Sequence, residues 1–354
     1  MFLLYPVKFW DWKNDIDYVL FGYKHVRLFF LFILLFFYFS FRVINIGTDA
    51  FEYKLLYDYI SINNGMLPSY LANKELGFSF FNLIANYLGF DYLSFSSFYL
   101  SLSAIIVFFQ FKNNPKLMLF LLYFLISSGY FMWISNGMRQ AMAISIVMIA
   151  IGCINKESFS KYFIFIFIAS LFHVSALIML PFYFVKHFSC RYLFVFLIFS
   201  TLLKLLGVNL INADFINQMI IFIPGFNEYY HYLDSAKLSL NSDVGFQVVY
   251  MLKTLFFIFV FYISSFKDDE SKSVIYLKFG SLSFIAYNLV GDVELVNRVL
   301  QYFNLSILIS FSYFILNCGC NNKRYLISFS LLVFYFLVFS VENFKFFNAV
   351  YTYR

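Results

Sequence analysis

Long apolar runs recur along the whole chain, separated by short turns that hold many of its lysines. An apolar run of roughly 20 residues can cross the hydrocarbon core of a bilayer as a helix, which satisfies every backbone N–H and C=O within the segment. Runs of this kind occupy 26–41, 92–111, 117–134, 138–154, 162–185, 192–207, 247–266, 274–290, 299–316 and 326–340, with a shorter one at 78–90. The chain has 354 residues, 62% of them hydrophobic and 12% charged. Soluble domains are roughly 45–50% apolar and about a quarter charged, so a water-soluble core does not absorb this excess. The expected fold is all-α, a polytopic integral membrane helix bundle of about 10–11 transmembrane segments with one or two broken or re-entrant helices. It reads as a single transmembrane domain over 1–354, with an N-terminal interfacial segment at 1–25, a first outer loop at 42–77 and a large outer loop at 208–245. No internal repeat stands out, and no removable signal peptide is expected.

The 55 Phe and 29 Tyr serve as lipid-facing and packing residues, which is a plainer reading than base or sugar stacking surfaces. A net charge of +6 suits loops that face anionic lipid and requires no nucleic acid. Cys153, Cys190, Cys318 and Cys320 imply no disulfide framework, and Cys318-Gly-Cys320 is too short and isolated for a metal site. The chain carries no phosphate-binding glycine loop, no HExxH, no GxSxG and no metal-spaced carboxylate cluster, so no metal and no cofactor are expected.

Lysine and arginine concentrate in the turns at 112–116, 155–161, 186–191, 267–272 and 323–324, which the positive-inside rule places in the cytoplasm. That parity requires 78–111 to cross once, and either the run 162–185 to go out and back or the turn at 186–191 to be an exception. About 24 residues are too few for two full spans at about 20 each, so the run is expected to be broken or re-entrant, with His173 near its outer tip. Irregular backbone at that depth must be covered by protein or line a water-filled cavity.

With this orientation Arg42, Arg139 and Arg298 sit at the outer ends of spans, the face arginine should avoid. Arginine binds phosphate oxygens through a planar fork, which suits an anionic lipid headgroup. The plain alternative is snorkelling, or pairing with Asp49 and Asp292. His173 is either a proton acceptor near neutral pH or a core histidine bonded to a carbonyl. Asp49 and Glu75, close to Gly47 and Gly77, are candidate bases or hydroxyl clamps, or solvated loop charges. The cluster Tyr229-Tyr230-His231-Tyr232 suits sugar stacking and an interfacial aromatic belt equally.

GTDAFEYKLLYDY (47–59), ELGF (75–78), MRQAMA (138–143), FHVSALIMLP (172–181) and NRVLQYF (297–303) occur in this order over most of the chain. As an ordered set they resemble the EpsG family of bacterial membrane proteins, which belong with the Wzy-type polysaccharide polymerases. The resemblance implies a glycosyltransferase that polymerises O-antigen, capsule or exopolysaccharide repeat units in the inner membrane. It would move a glycan from an undecaprenyl pyrophosphate carrier to the non-reducing end of another lipid-linked repeat unit at the periplasmic face. The partners implied are that lipid-linked oligosaccharide, membrane lipid and a chain-length regulator. On this reading Arg139, His173, Asp49 and Glu75 are the catalytic candidates. Arg42, Gln140, Arg298, Tyr302, Tyr229, Tyr230 and Tyr232 are the substrate-binding candidates. A flippase of lipid-linked oligosaccharide, or a ligase using the same carrier, is the competing expectation. A transporter should carry two related halves.

Overall fold

In the computed structural model the described residues are 24–41, 48–63, 75–207, 244–265, 273–290, 294–317 and 322–352. The expected N-terminal segment up to residue 23 and the large loop at 208–243 lie outside them. The described residues are all helical: α1 (Lys24–Ser40), α2 (Thr48–Ile62), α3 (Leu76–Tyr87), α4 (Tyr92–Phe109), α5 (Pro115–Ser127), α6 (Tyr130–Asn136), α7 (Met138–Ile154), α8 (Phe159–Ser170), a 3-10 helix (Val174–His187), α9 (Cys190–Leu205), α10 (Val244–Ser265), α11 (Val274–Val290), α12 (Glu294–Leu316) and α13 (Asn322–Thr352).

Local chemistry explains several boundaries. Asp91 caps α4 by accepting the Ser94 N–H at 3.0 Å, and Asn114 caps α5 from Leu117 at 3.1 Å with Pro115 in the first turn. Each side chain satisfies an amide that helix geometry leaves without a partner. The apolar run expected over 117–134 is broken between α5 and α6 by 64°. Gly129 sits at the break with φ 71, a left-handed conformation that costs glycine little.

Among the described residues three stretches are long and apolar enough to cross a bilayer alone, Tyr92–Phe109, Val296–Leu316 and Arg324–Val341, and the count reaches five if each of two bent pairs is one span. Four shorter apolar helices of 10–17 residues accompany them. The outer helices leave large apolar side chains uncovered, among them Phe29, Leu34 and Phe37 on α1, Phe196 and Phe199 on α9, and Phe329 and Phe336 on α13. So much continuous apolar surface is stable against lipid and not against water. The chain is a multi-pass helical membrane protein.

At the centre lies α7, buried on nearly every side by α4, α6, α8, α11, α12 and the 3-10 helix. Its sequence, MRQAMAISIVMIAIGCI, interleaves Ala141, Ala143, Ala150 and Gly152 with larger residues. Small residues let neighbouring helices approach, which is how helices associate where lipid and side chain are equally apolar.

The run 162–185 does turn back at His173, and the geometry shows how so few residues suffice. From Phe159 to His173 a rise of about 1.5 Å per residue covers about 21 Å, and from His173 to Tyr183 a 3-10 rise of about 2.0 Å covers about 20 Å. The two legs match. Phe159 and Tyr183 meet edge to face at 5.0 Å between ring centroids, and the Tyr162 hydroxyl donates to the Met179 carbonyl. Tighter winding stretches the return leg, and Pro181 within it has no N–H to lose.

The connectivity also separates the molecule into two ends. An Arg27 guanidinium nitrogen, near the start of α1, donates to the Lys112 carbonyl just past α4 at 3.2 Å. Lys278, on the first turns of α11, donates to the Lys186 carbonyl at the last turn of the 3-10 helix at 2.9 Å. Tyr276 of α11 donates to Gln110 just past α4, so one end gathers Arg27, Lys112, Lys186 and Lys278. At the opposite end His173 precedes the 3-10 helix, and Tyr92 at the start of α4 donates to Met138 Sδ, beside Arg139.

Candidate functional site

Glu75 is the residue that joins the cluster. It stands at the N-cap of α3 with φ 53 and ψ 51, a left-handed conformation that a side-chain-bearing residue adopts at a cost of about 1–2 kcal/mol. Strain of this kind persists where surrounding structure fixes it. Here the Gly77 N–H donates to the Leu171 carbonyl at 2.8 Å, which pins the start of α3 to the end of α8. No side chain fits at Gly77 without pressing Phe172, whose ring lies 3.0 Å from where a Cβ would be.

The Glu75 carboxylate is 8% exposed and faces two bases. Its Oε2 is ion-paired with Arg139 Nη1. Its Oε1 accepts from His173 Nδ1 at 2.8 Å. An ionised carboxylate only accepts, so the imidazole proton on that side is fixed at Nδ1 and Nε2 is left as the nitrogen able to take a proton. Burial pushes the Glu75 pKa up, but the His173 hydrogen bond and the Arg139 charge outweigh it and hold the carboxyl below its ordinary value.

Arg139 is the second residue of α7. Besides Glu75 it donates from Nε to the Tyr53 hydroxyl at 3.3 Å, with its guanidinium 5.4 Å from the Tyr53 ring centroid. Its side chain remains 34% exposed, and a guanidinium has five N–H donors, of which these contacts use two. The remaining edge can meet an anion. His173 is 14% exposed.

The other sequence candidates fall around this cluster unevenly. Asp49 opens α2, one turn before Tyr53, and its backbone N–H donates to Asn136 Oδ1 at 3.1 Å, which docks α2 beside the start of α7. Gln140 is buried and donates its amide to the Arg298 carbonyl, joining α7 to α12. Tyr302 is fully buried, and its hydroxyl shares a 2.9 Å hydrogen bond with Ser175, two residues after His173. Gln140 and Tyr302 thus tie the helices together beneath the cluster. Arg42, Tyr229, Tyr230 and Tyr232 lie outside the described residues.

Sequence reasoning missed Tyr53 and the helical form of α2. The segment 42–77 was expected as a loop, yet Tyr53, Leu56, Tyr57 and Ile60 are buried at the i, i+3, i+4, i+7 spacing of one helix face. That periodicity was the available signal. No group of three or more potential metal ligands occurs among the described residues.

No curated protein and no solved structure matches this chain. The EpsG family does, over residues 25–354, a span that holds every residue of the cluster. The chain belongs to the EpsG family, whose members are polysaccharide-polymerase-like membrane proteins.

Proposed function

We propose that the chain is a polysaccharide repeat-unit polymerase of the bacterial inner membrane, acting at its outer face. It transfers a glycan from an undecaprenyl pyrophosphate carrier to the non-reducing end of another lipid-linked repeat unit. The observation that carries this reading is the buried carboxylate of Glu75 held between Arg139 and His173, at the end of the molecule away from the basic turns. Glycosyl transfer from a pyrophosphate requires a proton acceptor for the incoming hydroxyl and positive charge at the leaving group.

In this mechanism the acceptor sugar hydroxyl gives its proton to His173 Nε2 while its oxygen bonds to the anomeric carbon of the donor sugar. The bond from that carbon to the pyrophosphate oxygen breaks, and undecaprenyl pyrophosphate leaves with the electron pair. Glu75 orients the imidazole and stabilises its protonated form, the part a buried carboxylate plays toward a catalytic histidine. The free edge of Arg139, with Arg298 and Arg42 as further anion contacts, stabilises charge on the leaving pyrophosphate. Asp49, beside this cluster, is an alternative clamp for the acceptor hydroxyl. No metal ion or cofactor is invoked, and nucleic acid has no part. A chain-length regulator is the expected protein partner, and surrounding lipid delivers the carrier.

The test is a deletion strain complemented with His173→Ala, read as the ladder of polysaccharide lengths. Loss of a general base typically costs about 10²–10⁴-fold in rate, so long chains should vanish while single repeat units still reach the surface. Normal long chains from a stably expressed variant would exclude the assigned role. Loss of all surface units would point to a flippase.

A further inference from the structure

A cavity of about 780 Å³ opens between α6, α10, α11, α12 and α13, on a different face of α12 from the cluster just described. Its walls differ in chemistry. On the α12 side stand Asn297, Gln301 and Asn304, with Ser283 of α11 beside them. Positions i, i+4 and i+7 share one helix face, so the three carboxamides form a ladder about 10 Å long. Across from them α13 and α10 present Phe334, Leu337, Val338 and Leu252. Tyr130 and Trp133 of α6 close one flank, their rings 6.0 Å apart.

The ladder is internally oriented. Ser283 donates to Asn304 Oδ1 at 2.6 Å, and Asn304 Nδ2 donates to Gln301 Oε1 at 3.2 Å. This relay uses the Gln301 oxygen and leaves its NH₂ without a partner among the described residues. The Asn297 amide likewise makes no hydrogen bond to any described residue. Such amides offer both donors and acceptors on a lining that is otherwise largely aliphatic and aromatic.

We propose that this cavity binds the glycan portion of the substrate, with Asn297 and Gln301 reading sugar hydroxyls and Trp133 stacking on a pyranose face. A neutral ligand with hydroxyls on its rim and C–H groups on its faces matches carboxamides on one side and aromatic or aliphatic carbon on the others. An alkyl chain would leave the ladder unbonded, and the one charged residue of the lining, Lys253, lies over the Tyr335 ring at 5.8 Å, on the wall away from the ladder. The volume lies within the roughly 300–1,000 Å³ of ligand sites in general. α12 is the partition between the two sites. Its Arg298 carbonyl is held by Gln140, next to Arg139, while the adjacent Asn297 opens the ladder. A glycan bound along α12 therefore ends near Arg139. The inference rests on the polymerase reading for the kind of glycan, and not for the presence of the site.

The experiment uses the full chain with Trp10→Phe and Trp12→Phe, which leaves Trp133 as the single tryptophan of the original 3. Reconstituted in lipid nanodiscs, it is titrated with oligosaccharides released by mild acid from the polysaccharide of the cells that carry it. Trp133 fluorescence should change saturably. Asn297→Ala and Gln301→Leu should each weaken binding by about three- to tenfold, the range for one neutral hydrogen bond. Asn297 bonds nothing in the described protein, so its variant keeps the test open if Gln301→Leu fails to fold. No saturable change, or equal binding by both variants, would overturn the assignment of the cavity even where the His173→Ala ladder collapses. Binding as expected with an intact His173→Ala ladder would support the cavity and sink the catalytic reading.

Discussion

Glu75 shows how one residue can hold two others in working geometry. Its carboxylate spends one oxygen on Arg139 and one on His173, so removing it unpairs both. Its depressed pKa has a consequence for stability against pH. A carboxyl whose folded pKa lies below its unfolded value stabilises the fold above the unfolded pKa, near 4.3, and that contribution fades as pH falls through the folded value. The thermal stability gap between the parent and Glu75→Gln is therefore expected not to narrow from pH 8 to about 5 and to shrink only below about 4. Melting curves in detergent across this range check it. A gap that closes between pH 7 and 5 would mean Glu75 is protonated there and cannot fix the imidazole tautomer. The identities of Arg139, His173 and Glu75 as polar exceptions were visible in the apolar chain. That the carboxylate bridges the two bases was not, because it depends on a left-handed turn at Glu75 and on the close approach of α3 to the end of α8.

At the scale of elements, the site is assembled where α3, α7 and the α8 turn meet, and Gly77 governs that meeting. A Cβ there would lie 3.0–3.1 Å from three atoms of the Phe172 ring, and Phe172 is the neighbour of His173. Phe172 cannot swing away freely, since it packs on Phe81 at 6.0 Å. Gly77→Val is expected to cost about 1–3 kcal/mol through overpacking and to reduce polymer synthesis beyond what its lowered stability explains. Gly89→Ala is the control. Its φ of 73 makes the substitution costly by about 1 kcal/mol, yet nothing lies within 4 Å and the site is untouched. Equal activity of the two variants at matched folded amounts would mean the α3–α8 contact does not position His173. The return leg after His173 was legible as a break because 162–185 is too short to cross twice as α-helix. Its 3-10 winding was not legible, since side-chain pattern at Val174–His187 carries no strong mark of a tighter rise. The helix α2 was legible and passed over, its polar residues Asp49, Glu52, Lys54 and Asp58 having masked the periodic buried face.

For the whole molecule, the strongest claim from sequence was that basic turns share one side and Arg139 and His173 the other. The contacts of Arg27 with Lys112 and of Lys278 with Lys186 gather basic residues far apart in sequence at one end. The length of α7, about 25 Å at 1.5 Å per residue, separates Arg139 from Lys156 at the other. The apolar exterior between these ends fits a bilayer whose hydrocarbon core is about 30 Å thick. The rule that lysine and arginine in short loops stay in the cytoplasm predicts the sign of the orientation, with the Glu75 cluster outside. With all four native cysteines replaced by serine, a cysteine at Asn113 is expected to react with a membrane-impermeant maleimide only in inverted vesicles. A cysteine at Asn63, past the end of α2, should react in intact spheroplasts. Tyr57, further along the helix that carries Asp49 and Tyr53, donates to the Phe90 carbonyl just before α4, so α2 runs along the end that holds the Glu75 cluster and Asn63 reports on that end. The reverse pattern would place that cluster in the cytoplasm. A lipid-linked acceptor already carried to the outer face would then be out of reach, and the polymerase mechanism drawn above would fail for topological reasons alone.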